Sequence, residues 1–203
     1  MRRPALVTPP SILPISVAAV KLALRIDDPD LDTEIESQIR SAVDHYEGWT
    51  GILGIALAEQ SWSQSFDRFF RELALPIGPV IGVDSVTWRN VAGQVATVPP
   101  ASYALRTDAG GASSIRFDAG YGFPVDLYER EAVLIQYRAG WPNRPLPADA
   151  VEGAVPESDV PDDIKTAIKL RVQTMIDEAA RVNAVHLGRI ESALIGKYRR
   201  WSI

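Results

Sequence analysis

Histidine and cysteine are the side chains that most often bind transition metals or act as nucleophiles and general bases, and this chain has few of them. Its 203 residues include two histidines and no cysteine. Without cysteine there is no disulfide, no thiolate metal ligand and no cysteine nucleophile. His45 and His186 lie in predicted helices, and neither has a histidine or glutamate at the i+4 position that a helical zinc pair requires. We therefore predict no histidine metal site.

Three aspartates have the spacing of a calcium-binding loop. Asp28, Asp30 and Asp32 stand at the i, i+2 and i+4 positions, where such a loop places its first oxygen ligands. The loop also requires a glycine and a bidentate glutamate further on, but Thr33 and Ile39 occupy those positions. We therefore predict that these residues bind no metal ion, and we expect Asp30 to cap the following helix.

Other catalytic patterns are missing as well. No serine stands in a Gly-x-Ser-x-Gly turn, which exposes the nucleophile of many hydrolases. Gly120 and Gly122 lack the third glycine of a nucleotide-binding turn, and Tyr198 follows Gly196-Lys197 where a phosphate loop needs serine or threonine. No sequence feature brings two carboxylates into one cleft for glycoside hydrolysis. We predict that the protein is not an enzyme and has no catalytic residue and no cofactor.

The composition is that of a folded globular chain with a moderate negative charge. Hydrophobic residues make up 46% and charged residues 23% of the chain, close to the globular average. The net charge of -5 argues against affinity for nucleic acid as the main function, because such binding is driven by cationic contacts that displace counterions from phosphates. No apolar stretch approaches the ~20 residues that span a bilayer. Prolines, not an apolar segment, follow the first basic residues, so we expect cytoplasmic synthesis without a secretory signal.

The hydrophobic pattern predicts helices towards both ends of the chain. Ser16 is expected to cap a short helix. The apolar face of a longer second helix is formed by Leu31, Ile35, Ile39, Val43 and Tyr46. Its polar face is formed by Asp32, Glu36, Arg40, Asp44 and Glu47. Gly51 is expected to end this region in the left-handed conformation, and helical periodicity returns after residue 160.

The middle of the chain has the alternation of β-strands. Trp62 and Phe66 alternate with polar residues, which predicts a half-exposed strand. Pro76 and Pro79 cannot lie in a central strand because proline lacks the backbone donor. Turn residues recur between the later apolar segments, and residues 133–137 form the last strong strand pattern. The prediction is a small sheet of about five antiparallel strands.

These elements predict an α+β fold in which N-terminal and C-terminal helices form one helical body. Residues 1–15 are expected to be an N-terminal arm. Residues 16–58 and 160–203 are expected to form the helical body, with a β-rich insertion at 59–142. Residues 143–159, rich in proline, alanine and acidic side chains, are expected to be a linker or exposed loop.

A series of short motifs stands in a characteristic order from Leu13 to the C-terminus. The motifs are Leu24-Arg25-Ile26-Asp27, Trp49-Thr50-Gly51, Leu75-Pro76-Ile77-Gly78-Pro79-Val80, Asp84-Ser85-Val86, Tyr103, Ile135-Gln136-Tyr137-Arg138-Ala139-Gly140-Trp141, Val160-Pro161-Asp162-Asp163-Ile164-Lys165 and Tyr198-Arg199-Arg200-Trp201. In this order they resemble the head-tail connector (adaptor) family of tailed bacteriophages, in the branch that also occurs in prophages and gene transfer agents. Segments 120–129 and 146–159 depart from the pattern, and the resemblance assigns them no contacts.

The resemblance implies a structural virion protein in the particle neck, made in the cytoplasm of a bacterial host. Its copies would form a ring, a dodecamer to match the portal. The ring would dock beneath the portal protein and offer its far side to a stopper or tail-completion protein. DNA would pass through this conduit during packaging and ejection without sequence-specific binding, and no membrane would be involved.

Two surfaces are candidates for the contacts that such a ring requires. Arginine and tryptophan concentrate binding energy in interface pockets, and the candidate portal-docking tail consists of Arg199, Arg200, Trp201 and Ile203. A ring contact needs two different complementary surfaces on each subunit. The candidate subunit-interface face on the second helix consists of Asp32, Glu36, Arg40 and Glu47.

The sequence leaves alternatives open at each of these points. The protein could be another phage neck or tail-completion protein, or an unrecognised enzyme. The C-terminal tail could be a frayed helix end whose cations offset the helix dipole. The net negative charge could help DNA slide through a ring, or it could be ordinary solubility charge.

Overall fold

The computed structural model describes residues 2–145 and 156–199. The chain folds into two compact units and passes between them three times. The helical unit consists of Ser11–Ala58 and the chain from Trp141 onward, and the β-rich unit consists of the chain up to Pro10 together with Glu59–Gly140. Helices and antiparallel sheets are both present, so the predicted α+β class is confirmed.

The described part of the helical unit contains five α-helices. They are α1 (Val17–Leu24), α2 (Asp32–Tyr46), α3 (Asp162–Ile176), α4 (Glu178–Val182) and α5 (Ala184–Ile195). Ser16 caps α1 as predicted, because its hydroxyl accepts a 3.2 Å hydrogen bond from the Ala19 N–H. The prediction that Asp30 caps α2 is wrong. The Asp28 carboxylate instead accepts a 2.9 Å hydrogen bond from the Asp30 N–H and begins a short 3-10 turn before the helix.

One apolar cluster joins the helices of this unit. Ile35, Ile39 and Tyr46 of α2 pack in the same cluster as Ile164 of α3, and all four are 0% exposed. The predicted apolar face of α2 is buried except for Leu31, which precedes the helix and is 38% exposed. Because the buried positions follow the helical period, their burial fixes which side of α2 faces solvent.

The turn after α2 differs from the prediction. The residue in the left-handed conformation is Gly48, with φ 77°, so Gly48 and not Gly51 supplies the backbone freedom that ends the helix. Gly51 is required for another reason, because a Cβ atom there would lie 2.1 Å from the Glu47 carbonyl oxygen. Trp49, in this tight turn, is 39% exposed.

The described part of the β-rich unit contains eight strands. They are β1 (Ala5–Thr8), β2 (Gln60–Phe66), β3 (Glu72–Leu75), β4 (Val80–Arg89), β5 (Val95–Thr97), β6 (Tyr103–Thr107), β7 (Ser113–Phe117) and β8 (Val133–Ala139). A five-stranded sheet has the order β1-β2-β8-β4-β5, and a three-stranded sheet has the order β3-β7-β6. All strand pairs are antiparallel, as predicted, but the strands form two sheets where one was expected.

The proline segment explains the division into two sheets. β3 ends at Leu75 and β4 begins at Val80, so Pro76 and Pro79 lie between strands, as their missing backbone donors require. After this interruption β4 pairs with β8 in the larger sheet, whereas β3 pairs with β7 in the smaller one. These partners are distant in the sequence, and local alternation does not specify which strands pair.

The predicted N-terminal arm is wrong for part of residues 1–15. β1 pairs with β2, with Leu6 opposite Trp62, and Ile15 is 1% exposed in the apolar cluster of the helical unit. The prolines that suggested an arm stand at the ends of β1, where an edge strand tolerates them. The apolar and β-branched residues between them are suited to a strand.

The two ends of the predicted linker 143–159 are paired with each other. β9 (Asn143–Arg144) and β10 (Glu157–Ser158) form a short antiparallel ladder in the helical unit. Ser158 is 0% exposed, and its hydroxyl lies 2.8 Å from the Leu57 carbonyl oxygen. Residues 146–155 lie outside the described residues.

Candidate functional site

The described residues contain no cluster of three or more His, Asp or Glu side chains that could bind a metal ion. His45, at the end of α2, packs edge-on against Tyr46 with 5.2 Å between ring centroids. Burial, followed by the Arg171 guanidinium, lowers the pKa of His45 below its usual value. His186 is exposed in α5. Neither histidine belongs to a group of potential metal ligands among the described residues. Separately, no described helix is long and apolar enough to cross a membrane.

A buried polar group joins three helices. The Tyr46 hydroxyl of α2 donates a 2.6 Å hydrogen bond to the Glu191 carboxylate of α5, and Arg171 Nη1 of α3 lies 3.3 Å from the same carboxylate. Burial, followed by the hydrogen bond to Glu191, raises the pKa of Tyr46 above its usual value. The Glu191 carboxylate thus contacts both the Tyr46 phenol and the Arg171 guanidinium, and these contacts stabilise the packing of α2, α3 and α5.

The candidate face on α2 divides into two parts. Asp32 pairs with Lys21 of α1, and Glu36 pairs with Arg40 one turn further along the helix. Both pairs lie on the solvent side of the unit, where exposed ion pairs contribute little to stability. Glu47 lies beyond the end of α2, and its carboxylate accepts a 2.6 Å hydrogen bond from the Leu57 N–H.

The candidate portal-docking tail is described only at its first residue. Arg199 is exposed and follows a 3-10 turn at Gly196–Tyr198. Arg200, Trp201 and Ile203 lie outside the described residues. Ile195, which is 1% exposed, is the last described residue of the chain that is buried in the apolar cluster. The Lys197 ammonium lies 2.6 Å from the Asp163 carboxylate and ties the turn to α3.

The segment after β7 contributes to an aromatic cluster that the sequence reading did not identify. Phe117 of β7 and Tyr121 stack with 5.6 Å between ring centroids, and Phe69 and Phe123 stack at 5.3 Å. The Arg71 guanidinium covers Phe123 at 5.1 Å. Part of segment 120–129, which the resemblance left unassigned, therefore packs against the three-stranded sheet. The sequence signal for this cluster was the set of aromatic residues that precede and follow β7 along the chain.

The opposite face of the three-stranded sheet was also missed. Arg116 of β7 lies opposite Ala104 of β6, and Arg106 of β6 lies opposite Ser114 of β7. Both arginines are exposed, and neither forms an ion pair with a described residue. The signal was present in the alternation of β7, where Ile115 and Phe117 are buried and the residue between them is Arg116.

The protein is an α+β chain in which polar groups join the helices inside the helical unit and charged groups occupy outer faces. No protein-family model matches the chain, and no curated protein matches it.

Solved structures with this fold come from gene transfer agent particles. A chain in the neck of an empty GTA particle, computed with C6 symmetry, has a TM-score of 0.70 and 21% identity, covering 100% of this chain and 97% of that one. A chain in the virion of a native gene transfer agent particle has a TM-score of 0.67 and 23% identity, covering 98% of this chain and 96% of that one. A chain in the neck of a native GTA particle, computed with C12 symmetry, has a TM-score of 0.63 and 21% identity, covering 100% of this chain and 97% of that one.

These matches cover nearly the whole length of both chains, so the similarity includes the helical elements and the β-rich elements. The fold is that of chains found in gene transfer agent particles, two of them from particle necks. The resemblance predicted from the ordered sequence motifs is thereby confirmed at the level of the fold.

Proposed function

We propose that the protein is a structural component of the neck of a phage-like particle, and specifically a head-tail connector. The observation that carries the proposal is the full-length fold similarity to chains of gene transfer agent necks. In this role the protein docks beneath the portal, joins the DNA-filled head to the stopper or tail, and forms part of the DNA conduit. It performs no catalysis.

The proposed assembly is a ring of identical copies, a dodecamer that matches the portal. The related necks were computed with C6 and C12 symmetry, and both symmetries relate copies around one axis. A cyclic ring requires two different complementary surfaces on each subunit. The exposed side of α2, with Asp32, Glu36 and Arg40, provides one of them, and Glu47 supports it by fixing the turn behind the helix.

The charge distribution suits a passage for DNA. The sequence of the helical unit contains 12 cations and 17 carboxylates, whereas the β-rich unit contains nine of each. A strongly cationic ring would hold DNA through its phosphates, and neither unit has an excess of cations. DNA can therefore slide through the ring during packaging and ejection without sequence-specific contacts.

The C-terminal tail is the proposed contact with the portal. Arg199 follows the last turn of the helical unit on an exposed segment, and the sequence continues with Arg200, Trp201 and Ile203. Tryptophan and arginine are the residue types that most often dominate binding energy at interfaces. The far side of the ring binds the stopper or tail-completion protein.

Gene deletion in the organism that makes the particle tests the function. Mass spectrometry of purified wild-type particles should detect the protein, and deletion should leave DNA-filled or DNA-leaking heads without tails. Restoring the gene should restore tails. Normal tailed and functional particles without the protein would contradict the proposal. A position in the neck away from the portal, seen by electron cryomicroscopy, would instead indicate another neck or tail-completion protein.

A further inference from the structure

The first helical segment carries the whole net charge of the chain. Residues 11–58 contain three cations and eight carboxylates, and the rest of the chain is balanced. Two of the three cations, Lys21 and Arg40, are paired inside the unit. The exposed carboxylates that have no cationic partner among the described residues are Asp27, Asp28, Asp30, Glu34 and Asp44.

Two of these carboxylates lie on one stripe of α2. Glu34, Ser37, Ser41 and Asp44 are separated by three, four and three residues, so they share one side of the helix. All four are exposed. Glu34 accepts a 2.6 Å hydrogen bond from Gln38, which orients the carboxylate without neutralising it. This acidic stripe presents two carboxylates with two small hydroxyl side chains between them, and it leaves room for longer side chains to approach.

The outer face of the three-stranded sheet carries two arginines that form no ion pair with a described residue. Arg106 and Arg116 are diagonal neighbours on adjacent strands and project from the same face. We call this surface, centred on Ala104, the arginine face. Its two arginines line a hollow together with Ala104, Phe117, Asp118 and Ala119. The carboxylates of Asp118, which also lines the hollow, and of Glu72, opposite Arg116 in the ladder, balance the two guanidinium groups in formal charge.

The cross-strand carboxylate beside Arg116 forms no ion pair with it. Glu72 of β3 lies opposite Arg116 in the ladder, but its carboxylate accepts a 2.6 Å hydrogen bond from the Ser114 hydroxyl. The exposed guanidinium groups are therefore available to bind carboxylates of another molecule. Arginine suits this task because its planar group binds a carboxylate with two parallel hydrogen bonds.

We propose that the arginine face of one copy binds the acidic stripe of the neighbouring copy. The inference rests on the proposed ring, because a cyclic contact requires two different complementary surfaces on each subunit. The two surfaces lie in different units of the chain, and they offer equal numbers of arginines without an ion pair and of carboxylates without a cationic partner among the described residues. A second copy fits these features better than DNA, since DNA binding draws on many phosphate contacts and this face supplies two.

Cross-linking between two single-cysteine variants tests the contact. The chain has no cysteine of its own, so Ala104→Cys marks the arginine face and Ser37→Cys marks the acidic stripe. The two proteins, one of them carrying a mass tag, are mixed and treated with a short bismaleimide. We expect a covalent heterodimer at low salt and a several-fold lower yield at high salt, because salt screens exposed charges. The matched control pairs Ala104→Cys with Leu22→Cys, a position 83% exposed on α1, and should yield only background.

Charge reversal makes the test specific. Arg106→Glu with Arg116→Glu, added to the Ala104→Cys protein, should reduce the heterodimer to background. Glu34→Lys with Asp44→Lys, added to the Ser37→Cys protein, should do the same. Mixing the two reversed proteins should restore the heterodimer. The control variant, Arg3→Glu with Arg130→Glu, makes the same charge change at exposed arginines of the β-rich unit and should leave the yield unchanged.

The outcomes separate this inference from the proposed function. A heterodimer yield no higher than that of the Leu22→Cys control overturns the contact, whether or not rings are seen by electron microscopy. If the heterodimer forms and responds to charge reversal, but deletion of the gene leaves normal particles, the contact stands and the neck function fails. If Arg106→Glu with Arg116→Glu weakens binding of labelled duplex DNA and leaves cross-linking unchanged, the face binds DNA and the proposal is overturned.

Discussion

Arg171 of the helical unit and the pair Arg106 and Arg116 of the β-rich unit have different surroundings. In the helical unit, Arg171 lies 3.3 Å from Glu191 between helices, and both side chains are less than a third exposed. In the β-rich unit, Arg106 and Arg116 stand on an outer face without an ion-pair partner among the described residues. Arg2 and Arg138 of the β-rich unit are ion-paired, so the contrast concerns positions and not whole units: Arg171 is held by a carboxylate between helices, whereas Arg106 and Arg116 are left available for binding.

The largest expected effect comes from truncating one core residue in each unit. Ile39 in the helical unit and Ile135 in the β-rich unit are both 0% exposed. Ile39→Ala and Ile135→Ala should each lower the free energy of unfolding by about 2–5 kcal/mol, through lost burial and the cavity left behind. Urea unfolding followed by far-ultraviolet circular dichroism measures this, and segment-resolved hydrogen exchange shows which unit is affected. A loss below about 1 kcal/mol for either variant would contradict the assigned core.

The second effect tests the buried polar group of the helical unit. Glu191→Ala removes the nearer acceptor of the Tyr46 hydroxyl, leaving the Ala167 carbonyl oxygen at 3.3 Å, and it removes the carboxylate partner of Arg171. Leaving buried polar groups without a partner costs about 1–3 kcal/mol, and urea unfolding should show a loss in that range. Glu178→Ala is the control, since Glu178 is an exposed carboxylate in α4. Equal stability of the two variants would mean that the polar group does not brace the helices.

The helical unit was the more predictable of the two because a helix records its buried side in local spacing. Ser16 and the apolar residues of α2 were identified from spacing alone, and the structure confirms the cap and the buried face. The errors lie at helix ends. Asp28 rather than Asp30 makes the capping bond, and Gly48 rather than Gly51 has the positive φ. End positions depend on chain direction after the helix, which the periodic pattern does not contain.

The β-rich unit was less predictable because strand pairing depends on residues that are far apart. Alternation identified strands such as β2 and β8, but it could not divide them between two sheets or show that Ala5–Thr8 adds an edge strand. The arginine face was not predicted for the same reason, because Arg106 and Arg116 become neighbours only when β6 and β7 pair. The roles of both surfaces predicted from sequence remain predictions: the tail with Arg199, Arg200, Trp201 and Ile203, and the face on α2 with Asp32, Glu36, Arg40 and Glu47.

The third expected effect distinguishes the contribution of the Tyr46 hydroxyl to stability from that of its aromatic ring. Tyr46→Phe removes the hydroxyl that contacts Glu191 and the Ala167 carbonyl oxygen, and it should cost about 1 kcal/mol near neutral pH. The raised pKa of Tyr46 in the folded protein means that the unfolded chain ionises first as pH rises. The stabilisation is therefore constant below the usual tyrosine pKa of about 10 and is lost as pH rises above it. Urea unfolding of both proteins across this range should show their difference in stability shrinking at alkaline pH. A difference that grows with pH would contradict the assigned bond.

The smallest expected effect is the one that most directly tests the contrast between these arginine positions. Arg106→Ala with Arg116→Ala removes two exposed side chains that form no ion pair with a described residue. Such surface changes usually alter stability by less than about 0.5 kcal/mol. Arg171→Ala removes the same kind of side chain from beside Glu191, and it should cost more than the two surface changes together. Urea unfolding of the three proteins compares them directly. If the variant with Arg106→Ala and Arg116→Ala is less stable than Arg171→Ala, then Arg106 and Arg116 support the sheet itself. Their availability to a partner can then no longer be inferred from their exposure.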